Sequence, residues 1–141
     1  MESARKGNKI LLVDDEPDIT MTFKEILQEV GFIVDIYEDP LIALSMFKPH
    51  FYDLVILDIK MVKLNGFELY AEMLKRDNQV KVCFVTAGEM YHSEVRKDDE
   101  EELYCKLDTQ RFIQKPISNT DLVKSIEKIL MPGQSPNIGN K

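Results

Sequence analysis

Short apolar runs alternate five times with amphipathic stretches along this chain, and that rhythm restricts the fold more than any other feature. Residues 9–13 (KILLV), 32–37, 54–57, 80–85 and 111–114 read as strands. Between the first two, Ile19, Phe23, Ile26, Leu27 and Val30 recur at the spacing of one helix face. Pro17 suits the first turn of that helix and Gly31 its stop. Asp39-Pro40 is a cap followed by a first-turn proline, for a helix reaching about Phe47. A loop with Asn65-Gly66 leads into a third helix, expected to bury Phe67, Tyr70, Ala71 and Leu74. Residues 88–106 are charged and read as helical. Ser118 and Asp121 open a last helix with Leu122, Ile126, Ile129 and Leu130 inward.

Strands and helices in alternation require a parallel sheet with helices on both faces. The run at 54–57 is apolar throughout, as a strand covered on both sides should be. The expected fold is one α/β domain, a doubly wound five-stranded parallel sheet of order 2-1-3-4-5. Its expected limits are residues 8–131, with 132–141 as a flexible tail after Pro132-Gly133. At 141 residues there is room for one such domain and little more.

Charge and composition remove several classes of function. A net charge of -7 argues against direct contact with nucleic acid, whose phosphates need a basic face. No apolar run is long enough to span a membrane, and the polar start MESARKGNK has no signal-peptide core, so the expected location is cytoplasmic. Cys83 lies in an apolar run and reads as core, and a disulfide to Cys105 is not expected in a reducing compartment. His50 and His92 read as surface residues, and with two cysteines they make no zinc cluster.

The residues at the carboxyl end of each strand are more informative. Strand one runs into Asp14-Asp15, strand three into Asp58, strand four into Thr86 and strand five into Lys115-Pro116. Right-handed crossovers put all these carboxyl ends on one edge, where open parallel sheets bind ligands. Carboxylates about 4 Å apart repel by roughly 4 kcal/mol at an effective dielectric near 20. Such a cluster takes up protons or binds a hard divalent cation, and magnesium suits oxygen ligands. Lys115 offers a cation and Thr86 a hydroxyl donor to phosphoryl oxygens. The set fits phosphoryl transfer to a carboxylate.

Five segments in order, LLVDDEPD (11–18), YDLVILDIKM (52–61), Asn65-Gly66, VTA (85–87) and FIQKPI (112–117), resemble the receiver domain of two-component signalling. The likeness is to the chemotaxis-regulator type, with a flavodoxin-like sheet, and it runs over residues 9–130. It implies Asp58 as phosphoacceptor in a Mg2+ site. Asp15 and Asp58 would ligate directly, with the Lys60 backbone carbonyl, and Asp14 through water. It further implies Thr86 and Phe112 as a switch pair, Lys115 as the phosphoryl-binding cation and a cis bond before Pro116. The donor would be a sensor histidine kinase. Output would be protein contact or phosphorelay from a stand-alone receiver that is not an enzyme beyond its own phosphorylation and dephosphorylation.

Several positions depart from that pattern. Val62 replaces a usual proline, Lys60 sets a cation two residues after Asp58, and Gly88 offers no side chain to guide water. Residues 89–110 are long and acidic for the family. Taken singly, Asp14-Asp15 could cap the first helix, Thr86 could be an ordinary strand residue, Phe112 core and Lys115 a solvated lysine. Their joint position after four strands favours the site. A flavin-binding reading fails on the acidic first loop, which repels phosphate. A phosphatase would want a second acid where Lys60 stands. The alternative is a receiver-fold interaction module that is not phosphorylated.

Overall fold

The computed structural model describes residues 7–87 and 111–131. The expected helix at 88–106, Gly88, the acidic stretch 89–110, His92, Cys105 and the tail 132–141 lie outside the described residues.

Five strands, β1 (Lys9–Val13), β2 (Ile33–Tyr37), β3 (Leu54–Asp58), β4 (Lys81–Ala87) and β5 (Phe112–Lys115), form one parallel sheet. Their order is β2-β1-β3-β4-β5, the doubly wound arrangement expected from the alternation. Four described helices cover it: α1 (Pro17–Glu29), α2 (Pro40–Met46), α3 (Gly66–Leu74) and α4 (Asn119–Leu130).

Period-two alternation of strand side chains divides the core into two layers. Leu11, Val13, Val55, Leu57, Val82 and Phe84 face α2 and α3, meeting Ala43, Phe67, Leu69 and Met73. Ile10, Leu12, Leu54, Ile56, Cys83 and Val85 face the other way, onto Phe23 and Leu27 of α1 and Leu122 and Ile126 of α4. Every residue of β3 is buried, because it lies at the centre of a sheet sandwiched on both sides. Cys83 is a buried free thiol of that core.

Two features differ from the expectation. Ala71 is exposed, whereas Leu69 and Met73 are buried. Apolar residues occupy most positions of α3, so the helical period alone allows two faces, and packing on β3 and β4 selects one. Strands β3, β4 and β5 also run further towards their carboxyl ends, carrying Asp58, Thr86 and Lys115 inside the ladder. The pairings Asp58↔Val85, Thr86↔Gln114 and Ala87↔Lys115 use backbone groups alone, so a polar side chain does not end the strand. The N-cap of α1 is Glu16, without a side-chain cap bond, so the alternative reading of Asp14 or Asp15 as the cap does not hold.

Asp53, at the far end of β3, accepts the Lys9 N–H at 2.8 Å and takes no part in the acidic cluster. His50 is exposed, with its N–H donating to Asp77. Among the described residues no helix is long and apolar enough to cross a membrane.

Candidate phosphoryl and metal site

Asp14 and Asp15 come directly after β1, and Asp58 is the last residue of its neighbour β3. One carboxylate oxygen from each of the three lies within 4.8 Å of the others. Asp14 is 1% exposed and Asp58 6%, so two of the three charges are held largely out of water. The Glu16 N–H donates to Asp14 Oδ1 at 2.9 Å and fixes that carboxylate at the head of α1.

The cost of this crowding appears in the acidities. Burial, with the neighbouring Asp14 charge, pushes the Asp58 carboxyl up to about 7. Burial also raises Asp14, against the lowering effects of the Glu16 N–H and of Lys115. Three carboxylate oxygens that share a small volume, two of them on buried groups, suit a hard divalent cation. The donor set present here, carboxylates without thiol or imidazole, fits magnesium.

Lys115 reaches the cluster from the end of β5. Its ammonium lies 3.2 Å from Asp14 Oδ2, 3.2 Å from Glu16 Oε1 and 3.9 Å from Asp58 Oδ1. Burial disfavours its charge, but the Asp14 and Asp58 carboxylates outweigh that and lift Lys115 above the ordinary lysine value. The Lys115–Pro116 peptide bond is cis. Thr86 is buried at the end of β4 and lines, with Asp15, Glu16, Asp58, Lys60 and Lys115, a cavity of about 200 Å³. Phe112 is half-buried, stacked on Phe84 at 5.5 Å and tilted against Phe67 at 6.5 Å. It is thus on the α3 side of the sheet rather than in the cavity.

Two residues that the sequence patterns leave outside the site stand within or against it. Glu16 pairs with Lys115; its only signal is a third acid in DDEPD. Gly66, expected as part of a loop before α3, donates its N–H to Ile59 O at 2.8 Å and packs on the Asp58 backbone. The loop between them holds Val62, 70% exposed, and Lys63, whose φ of 79° is left-handed and whose ammonium pairs with Asp39.

Known proteins share both sequence and architecture. The transcriptional activator protein IrlR of Burkholderia pseudomallei (strain 1026b) is 32% identical over 127 residues, covering 90% of this chain and 52% of that protein. Transcriptional regulatory protein CpxR of Escherichia coli (strain K12) is 34% identical over 123 residues, covering 87% and 49%. The chain thus spans about half the length of the curated relatives it matches. Response regulator protein TrrA of Thermotoga maritima, solved in complex with Mg(2+)-BeF, superposes with a TM-score of 0.70 at 33% identity, over 87% of this chain and 99% of that one. A response regulator receiver domain protein from Clostridium thermocellum gives 0.73 at 26% identity, over 87% and 94%. Residues 10–127 match the family model described as the response regulator receiver domain. With the sheet order and the acidic cluster alongside that match, the chain belongs to the response regulator receiver domains of two-component signalling.

Proposed function

We propose that Asp58 accepts a phosphoryl group from the phosphohistidine of a sensor histidine kinase in the cytoplasm, and that the domain, residues 8–131, signals through the resulting change of state. The observation that carries this reading is the meeting of Asp14, Asp15 and Asp58 with Lys115 at one sheet edge. A carboxylate oxygen of Asp58 attacks phosphorus, the P–N bond breaks, and the imidazole leaves with its electron pair.

Magnesium, held by Asp15, Asp58, the Lys60 carbonyl and, through water, Asp14, would neutralise charge on the transferring group. Lys115 supplies a fixed positive charge beside Asp58, which favours the ionised nucleophile and then a phosphoryl oxygen. Thr86, buried at the end of the adjacent strand and lining the same cavity, moves towards that group and donates its hydroxyl to a second oxygen. That inward move leaves space on the α3 side into which Phe112 turns, transmitting the change to the surface. Phe112 has no hydroxyl, so its buried state strands no polar atom.

The curated relatives are named transcriptional regulators and are about twice as long. Within the 141 residues here the net charge of -7 favours output by protein contact or phosphorelay over direct contact with nucleic acid. Incubation with acetyl phosphate and Mg2+ tests the reading. A base-labile mass gain of one phosphoryl group, lost in Asp58→Asn and without Mg2+, is expected. An unmodified protein under those conditions would favour a receiver-fold interaction module that is not phosphorylated.

A further inference from the structure

Lys115 stands nearer to Glu16 and Asp14 than to Asp58. Asp14 is buried and held by the Glu16 N–H, so its pull on the ammonium is part of the fixed floor of the site. Glu16 is different. Its side chain is 62% exposed, it makes no cap bond for the helix it begins, and its carboxylate meets an ammonium only 15% exposed. A solvent-exposed acid at the rim of the cavity thus grips the lysine that reaches Asp58.

We propose that Glu16 is a positioning residue that restrains Lys115 in the unphosphorylated protein and so slows phosphoryl uptake on Asp58. The inference rests on the reading of Asp58 as phosphoacceptor. A phosphoryl group on Asp58 must draw the Lys115 ammonium towards its oxygens, and Glu16 competes for the same three N–H donors. Because the acid is largely in water, the competition is modest: an exposed pair shifts such an equilibrium about two- to fivefold. Glu16→Gln removes the charge, keeps the length, and leaves the backbone donor to Asp14 in place.

Two measurements on wild type and Glu16→Gln decide the matter. In metal-free buffer, amine acylation at Lys115 is followed by peptide mass spectrometry, with Lys63 and Lys9 as internal references. Released from Glu16, Lys115 is expected to react about two- to fivefold faster while the references stay unchanged. In the second measurement, acetyl phosphate and Mg2+ are added and the half-time of adduct formation is read, with a matching acceleration expected. Equal Lys115 labelling in the two proteins overturns the restraint, as does faster labelling with equal phosphorylation rates. A wild type that gains no phosphoryl group at all removes the reading of Asp58 instead, and the inference with it.

Discussion

Gly66 abuts the backbone of Asp58: a Cβ on residue 66 would lie 2.6 Å from the Asp58 carbonyl oxygen and 3.1 Å from the Ile59 Cα. Both neighbours are backbone, so relief requires moving the end of β3 and the carboxylate it carries. Gly66→Ala is therefore expected to destabilise by about 1–3 kcal/mol, although alanine is the better helix former. Urea unfolding reads the loss, and the same variant should take up phosphate from acetyl phosphate more slowly. Wild-type stability would mean that the strand end yields freely.

The neighbouring Asn65 carries the other half of this junction. Its side chain accepts the Glu68 N–H at 2.8 Å, and its own N–H donates to Glu68 Oε1 at 2.9 Å, a capping box. Asn65→Ala should cost about 0.5–2 kcal/mol and Asn65→Ser much less, since serine keeps an acceptor. Thermal unfolding of the two variants compares them directly, and equal losses would assign the effect to something other than the cap.

Strand count, order and the acidic edge were legible because each rests on short-range pattern plus one topological rule. Short continuous apolar runs mark β1 and β3, and crossover handedness then brings Asp14, Asp15, Asp58 and Lys115 to one edge. The buried face of α3 was legible in part: Phe67 and Tyr70 are buried and Leu74 packs against the core, but Leu69 and Met73 are buried where Ala71 was expected, because apolar residues fill most positions of the helix. The carboxyl ends of β3 and β5 extend past their apolar runs because Asp58 and Lys115 look like loop residues, while strand pairing asks only for backbone. Glu16 was invisible for a different reason. Its partner Lys115 is 99 positions away, and no local spacing encodes that meeting.

Asp58 makes stability depend on pH in the metal-free protein. Its folded carboxyl is raised by burial and by Asp14 from the ordinary 3.8 to about 7, so the folded state holds a proton that the unfolded chain releases. Stability from that proton is complete below the unfolded value and is lost as pH rises towards about 7, after which the contribution is flat. Asp58→Asn removes the ionisation. It should be more stable than wild type by about 2–4 kcal/mol at pH 8 and nearly equal at pH 4. Urea midpoints at the two pH values measure this, and a gap that does not grow with pH would contradict the buried, crowded carboxyl.

Magnesium should act on the same carboxyl in the opposite sense. A cation that binds the folded cluster and not the unfolded chain stabilises by about 2.7 kcal/mol at a hundredfold excess over its dissociation constant. Binding needs Asp58 ionised, so below about 7 the proton competes and apparent affinity should fall by up to about tenfold per pH unit. The rise in melting temperature on adding Mg2+ is thus expected to be large at pH 8 and small at pH 5. Asp15→Asn tests whether the cluster is the cause. Asp15 is less buried than Asp14 or Asp58, so neutralising it leaves the fold intact while removing one of the three gathered oxygens. Isothermal titration of that variant at pH 8 should show Mg2+ affinity lowered about tenfold or more, on the scale of one lost charge-bearing ligand. Undiminished affinity would move the ion away from the edge where β1 and β3 meet.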